Sequence, residues 1–401
     1  MITAKATVHE GRILIRTNAS GDDFQDAVDK CKLIPGGRWK PAVKAWSYPL
    51  AVDVCLAARR VFGDELTVMP RLSEWYVEAA RQAEGQTALS AATDAELRLL
   101  PTIAPALSAT LRPDQRVGAV WVATGHRGAG LVADQPGCGK TLVTIAGIIE
   151  SGTTGSMLVA CPRLSVKAVW FKEITKWTEE RVYIARGTRA KRQRSIDRFM
   201  ADPAERKWLI VVSEMLRVKE APKADDPTKK EFVGYEYPSL FDTTWAFAIV
   251  DESHKMFGSL TVVKGNLAGK GLKRLPCTRR LAVTGTPFGK GGRVQGMFGT
   301  LMWLWPDEFT SFWRWADTHF VVEEEDVYIP GGRGRTRTVR NLVGLKSGMD
   351  EEQFLHTLGP RILRRTKEEV LPWLPPKQFV EVWCEMSPGQ ERQYKSMVDD
   401  G

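Results

Sequence analysis

Apolar and polar positions follow two different rhythms along the chain. Up to about residue 80 the runs are short and mixed. Residues 12–16 alternate around Ile13 and Ile15 and predict a strand, and residues 24–33 carry apolar positions at helical spacing. Two further short strands, 34–39 and 44–48, are joined by Lys40-Pro41-Ala42-Val43, and a helix is expected over 51–62. This makes residues 1–80 a small α+β module. Residues 81–106 are rich in Ala, Ser and Thr with little apolar period, and read as a linker.

From residue 107 to about 292 the pattern changes. Apolar runs at 130–133, 157–161, 208–212, 246–250 and 280–283 are separated by segments of helix length, the sequence form of an α/β lobe with a mainly parallel sheet. Beyond residue 292 that rhythm stops. Residues 293–385 read as a helical extension: a Trp-rich stretch (302–320), a Gly/Arg-rich loop (331–340) and a helix near 351–358. The helical spacing of Trp303, Trp305, Trp313 and Trp315 favours a buried face over base stacking. Residues 386–401 read as the start of another linker.

Candidate chemistry sits at the ends of the predicted strands. Residues 131–141, Leu-Val-Ala-Asp-Gln-Pro-Gly-Cys-Gly-Lys-Thr, leave a strand and open a helix, the context of a phosphate-binding loop. Backbone N–H groups around Gly137 and Gly139 can surround a β-phosphate, Lys140 can neutralise β/γ oxygens, and the Thr141 hydroxyl can ligate Mg²⁺. Asp134 stands where the general pattern has Gly. Asp251-Glu252-Ser253-His254 follows the apolar run 246–250. There Asp251 suits Mg²⁺ held in part through water, and Glu252 suits polarising an attacking water. Thr284-Gly285-Thr286 ends the last run and puts two hydroxyls where a sheet edge meets a nucleotide cleft.

Composition narrows the partners. Lys and Arg number 57 against 48 Asp and Glu, a formal charge of +9, which favours a polyanion such as nucleic acid. The Gly-spaced Arg333, Arg335 and Arg337 can follow a phosphate backbone. The basic run 186–198 is either a solvated helix face or a phosphate contact. Six scattered cysteines without a CxxC pair suggest neither zinc nor a disulfide framework, and a reducing cytoplasm or nucleus fits. No apolar stretch has signal-peptide or membrane-spanning length, so neither secretion nor a membrane partner is expected.

Taken together, the three strand-end segments resemble motifs I, II and III of superfamily 2 helicases, in particular of the Swi/Snf ATPases. The phosphate loop of that family reads Asp-Glu-x-Gly-x-Gly-Lys-Thr, so Asp134 agrees and Gln135 departs from it. Residues 111–116 resemble the glutamine motif, which implies that Gln115 meets the adenine edge. Residues 159–165, with Trp170, Glu173 and Trp177, resemble motif Ia, which implies that Arg163 contacts a nucleic-acid backbone. Residues 360–370 and 374–377 are similar to the segment that closes the first lobe, with Arg364 and Arg365 open to a plainer reading as a solvated helix face.

The resemblance covers residues 107–395. It implies a RecA-like first lobe using ATP and Mg²⁺, with His254, Thr284 and Thr286 coupling the site to movement on DNA. It also implies a second RecA-like lobe carrying arginine fingers, which nothing in these residues resembles. A partner chain or a longer parent would supply it.

Residues 34–39 and 44–50 look like the HARP domain of annealing helicases. This implies DNA contacts by Arg38, Trp39, Lys44 and Trp46 at forks or junctions, against the plainer reading of a Trp-cored hairpin. The function expected is that of an ATP-binding motor lobe of a DNA-dependent ATPase, a translocase or annealing helicase. The alternative is a DNA-binding nucleotide sensor without turnover.

Overall fold

The computed structural model describes residues 2–21, 23–91, 105–226, 228–257, 267–288, 294–328, 336–375, 381 and 385–399. Five strands open the chain: β1 (Thr3–His9), β2 (Arg12–Asn18), β3 (Arg38–Lys40), β4 (Ala45–Pro49) and β5 (Leu66–Val68), in the order β3-β4-β2-β1-β5. Glu10 and Gly11, at φ 49° and 69°, make the two-residue β1–β2 turn, whose twist needs positive φ at both positions. The predicted helices form as Asp23–Leu33 and Val52–Phe62. They bury Ala27, Cys31, Val54, Ala58 and Phe62 against Ile13, Ile15, Ala4 and Ala6 of the sheet. β1 escaped the sequence reading because its inward positions are alanines, too small to mark a strand by hydrophobicity.

Residues 81–91, expected as linker, are helical. They complete a helix, Pro70–Ala91, in which Ala, Glu and Gln supply high helix propensity without an apolar stripe.

Among the described residues eleven strands follow: β6 (Ala129–Val132), β7 (Gly155–Cys161), β8 (Arg181–Ala185), β9 (Arg206–Val212), β10 (Val218–Pro222), β11 (Lys230–Tyr235), β12 (Trp245–Asp251), β13 (Cys277–Val283), β14 (Phe320–Tyr328), β15 (Thr336–Leu345) and β16 (Ile362–Leu363). Seven make one sheet, in the order β16-β6-β13-β12-β7-β9-β8, and every pairing in it is parallel. The five strands expected from apolar runs lie inside it, covered on both faces, as a parallel sheet requires. β8 and β16 are its edges. β8 carries half-buried Val182, Tyr183 and Ile184, and β16 has only two residues, so neither stood out.

The region 293–385 is not simply helical. Helices Phe298–Leu304, Phe312–His319 and Glu351–Thr357 are joined by the antiparallel hairpin β14–β15, and β16 returns to the central sheet. Arg333 and Arg335 lie outside the described residues, and Arg337 pairs by its backbone with Val327 in the hairpin. Trp303, Trp305 and Trp315 are buried, while Trp313 lies beneath the Arg340 guanidinium, 4.5 Å from ring centroid to Cζ. Residues 388–399, expected as linker, are helical. The basic run forms helix Arg189–Ala201, which buries Ile196 and Phe199 and turns Arg189 to Glu236 (2.9 Å).

Buried charge ties the front module to the lobe. Glu308, its side chain 4% exposed, accepts from Arg127 (2.5 Å) and Arg361 (2.8 Å), and Arg361 reaches on to Asp53 of the second front helix (3.0 Å). Arg314 donates to the Gly37 carbonyl (2.7 Å). Among the described residues no helix is long and apolar enough to cross a membrane.

Candidate functional site

The strand order places β6, β13 and β12 side by side at the middle of the sheet, all pointing the same way. Residues leaving their C-terminal ends therefore share one edge: 133–139 from β6, 284–286 from β13 and 251–254 from β12. Strands adjacent in space but far apart in the chain create this crevice, where α/β sheets bind ligands. Three segments scattered over 150 residues of sequence numbering meet there for a topological reason.

In the loop after β6, Gly137 and Gly139 sit at φ 94° and 89°. A Cβ on Gly139 would lie 2.3 Å from Gln115 Nε2, so conformation and space both demand glycine. Lys140 opens helix Lys140–Glu150, and its ammonium donates to the Asp134 (2.9 Å) and Gln135 (3.2 Å) carbonyls, closing the loop on itself. Burial pushes the Lys140 pKa down, opposed by Asp134, Cys138, Glu252 and Asp251. Gln115 is 4% exposed; its Oε1 accepts from the Arg112 N–H (3.1 Å) and its Nε2 donates to the Cys138 carbonyl (3.4 Å). In this arrangement Gln115 braces the loop from below.

At the end of β12, burial raises the Asp251 carboxyl above the usual range, and the Trp170 indole N–H opposes this by donating to Oδ2 (2.9 Å). Glu252 takes φ 50°, a costly conformation for a residue with a Cβ, and its own N–H donates to Asp251 Oδ1 (3.0 Å). His254 Nδ1 lies 2.8 Å from Thr284 Oγ1, 3.4 Å from Thr286 Oγ1 and 3.4 Å from Glu252 Oε2. Thr284 Oγ1 also accepts the Thr286 N–H (3.1 Å). Burial holds His254 below the usual imidazole range, and its ring links the carboxylate segment to the hydroxyl segment.

Two pairings were not legible, although the residues that make them lie in motif-like segments. Trp170, fully buried in the first turns after β7, orients Asp251. Arg365, far from a solvated helix face, pairs with Asp134 through Nε–Oδ1 (3.1 Å) and Nη2–Oδ2 (2.5 Å), and Asp134 is 0% exposed. It also donates to the Asp114 carbonyl, while Arg364 donates to Ala133 O (2.7 Å) and pairs with Glu352. The available signal was Asp134 itself: an acid inside an apolar run needs a cation.

The residues expected to meet DNA lie elsewhere. Arg38, Trp39 and Lys44 are exposed on the front sheet; Trp39 is 50% exposed, and half-buried Trp46 meets it edge-on at 6.0 Å. Arg163 is exposed just past β7. Thr141 lies in the first turn of the helix that follows the loop, partly buried.

Trp170→Phe removes the indole donor to the half-buried Asp251 carboxylate. The variant should lose about 2 kcal/mol or more of stability, from the lost charge-assisted hydrogen bond together with packing. A urea midpoint equal to that of the parent would show that the Trp170–Asp251 contact contributes nothing.

A parallel sheet with a Gly-Lys-Thr loop, an acidic pair and a hydroxyl pair on three adjacent strand ends defines a P-loop α/β protein. The SNF2-related domain family matches residues 114–400, and the chain belongs to that family. Among curated relatives, the ISWI chromatin-remodeling complex ATPase ISW1 of Saccharomyces cerevisiae is 26% identical over 307 residues, covering 72% of this chain and 22% of its own length. The lymphoid-specific helicase of Homo sapiens is 27% identical over 278 residues, covering 67% and 29%. The chain thus spans less than a third of either relative. A solved structure of the Sulfolobus solfataricus SWI2/SNF2 ATPase core in complex with dsDNA aligns at a TM-score of 0.44 and 23% identity, over 76% of this chain and 55% of that one.

Proposed function

We infer that this chain is the ATP-binding lobe of a DNA-dependent ATPase motor, a translocase or annealing helicase, completed by a second lobe in trans or from a longer parent. The observation that carries the reading is that one sheet edge gathers Lys140 within electrostatic reach of Asp251 and Glu252, and places Glu252 against His254, which meets Thr284 and Thr286. The residues fit the nucleotide: a loop with glycines at positive φ, one lysine at its end, and oxygen donors of the kind Mg²⁺ prefers. Mg²⁺, when bound by Thr141 and in part through water by Asp251, would neutralise phosphate charge.

Lys140 would exchange its two loop carbonyls for phosphate oxygens, so nucleotide entry would release the loop from its own closure. Glu252 is the base that would polarise water, and His254 would pass its position to Thr284 and Thr286. An arginine finger from a second lobe is worth about 10³ to 10⁵ in rate, so this lobe alone should bind nucleotide and turn it over poorly.

DNA contact is tested by salt. If the basic segments meet phosphates, binding should be sequence-independent, with a log–log salt slope of about −0.9 per phosphate on duplex. Replacing Arg333, Arg335 and Arg337 by Ala should lower its magnitude by up to about 3. Trp39→Ala and Trp46→Ala, once melting shows them folded, should cost about 1 to 3 kcal/mol per stacked base on forks and spare blunt duplex. Salt-independent binding, or Trp variants that bind forks as the parent does, would remove DNA or junction reading respectively. A nucleotide sensor without turnover would differ in releasing no phosphate even with the second lobe added.

A further inference from the structure

We propose that Lys367 is a second phosphate-binding cation of the loop, acting beside Lys140 on the nucleotide's phosphate chain. The proposal rests on the nucleotide-binding reading above. A Cβ placed on Gly137 would lie 3.3 Å from Lys367 Cε and 3.7 Å from its Nζ, so this ammonium lies against the central glycine of the phosphate loop. It reaches the loop from a segment more than 200 positions downstream, because β16 runs parallel to β6. Chains leaving adjacent parallel strands emerge side by side.

The backbone that carries Lys367 is fixed to the loop at every step. Ala133 N–H donates to Leu363 O (2.8 Å), Gln135 N–H to Arg365 O (3.0 Å), and Lys367 N–H to Gln135 Oε1 (3.1 Å). Arg365 pairs with Asp134, and a capping box between Thr366 and Glu369 starts the next helical turn. The side chain is nevertheless exposed, and among the described residues no carboxylate lies within ion-pair distance of its ammonium. Gln135, which takes its backbone N–H, is neutral. A rigidly seated lysine whose charge is left unspent beside an anion-binding loop is arranged to receive an anion.

Charge in the site points the same way. Asp134 is neutralised by Arg365, leaving Lys140 to face both Asp251 and Glu252. Even with Mg²⁺ bound, Lys140 does not offset two carboxylates and a polyphosphate. Lys367 supplies the missing positive charge from the open side of the loop.

Calorimetry with Mg-ATP tests this at low and high salt, on the parent, Lys367→Gln, Lys367→Arg and Lys140→Ala. Lys367→Gln should weaken ATP binding about 10-fold, the scale of one charge-assisted contact, with an unchanged melting temperature in the absence of nucleotide. The deficit should shrink as salt rises. Lys367→Arg should stay within about 3-fold of the parent, since the charge is kept. A parent that binds ATP, a Lys140→Ala variant that does not, and a Lys367→Gln variant equal to the parent would overturn the Lys367 assignment alone. A deficit that ignores salt, or that Lys367→Arg shares in full, would overturn it as well. A folded parent that binds no ATP would overturn both readings together.

Discussion

Glu252→Gln is expected to leave Mg-ATP affinity within about 3-fold of the parent while lowering turnover of a completed two-lobe enzyme by about 10² to 10⁴, the usual worth of a general base. The physical ground is its placement. Glu252 is held at φ 50°, with its carboxylate partly exposed and 3.4 Å from His254, whereas Asp251 beside it is half-buried and its carboxylate is held by the Trp170 indole. Two neighbouring acids thus have different hydrogen-bond partners. Lys140→Ala should separate from Glu252→Gln by losing about 100-fold or more in nucleotide affinity, because its ammonium is the charge at the loop's closed end. Steady-state phosphate release and calorimetry, measured on the same preparations, decide the matter. Equal turnover in Glu252→Gln and the parent would move the base to another group, and equal affinity in Lys140→Ala would end the P-loop assignment.

Arg365→Ala is expected to cost about 3 to 5 kcal/mol in stability, because it strands the fully buried Asp134 carboxylate without a partner. The same substitution also removes the donor to Asp114 O and loosens the register between β16 and β6. The double variant Asp134→Leu/Arg365→Met should recover much of that loss, since two apolar groups of similar size need no pairing. Its nucleotide affinity should nevertheless stay low, because the loop carbonyls that Lys140 engages are aimed by the ion pair. Urea unfolding measures the first effect and calorimetry the second. A midpoint for Arg365→Ala within about 1 kcal/mol of the parent would show that Asp134 finds water or another donor, and that the pair does not organise the loop.

Arg361, Arg364 and Arg365 show how one short segment serves three neighbours. Arg361 joins Glu308 to Asp53 of the front module, Arg364 holds Ala133 O, and Arg365 holds Asp134. The front module and the phosphate loop are therefore fastened to the same five-residue stretch.

The amino-acid sequence by itself determined the elements whose signal is local. Continuous apolar runs gave β6, β7, β9, β12 and β13, because a strand covered on both faces must be apolar throughout. Glycines at 137 and 139 and the Lys140-Thr141 pair announced a phosphate loop, because left-handed backbone and anion contact admit few other residues. The acidic pair at 251–252 and the hydroxyls at 284 and 286 were legible from their position at strand ends.

Tertiary structure decided what depends on neighbours distant in the chain. β16 offers two residues and no pattern, and only its pairing with β6 turns Arg365 from an apparent surface charge into the partner of Asp134. Trp170 looks like any core tryptophan until the Asp251 carboxylate lies 2.9 Å away. Residues 81–91 lack an apolar stripe and still fold as helix, since Ala, Glu and Gln carry the propensity for it. In each case the deciding energy lies in a contact between segments, where a charge or a donor acquires its meaning from the group that burial places opposite it.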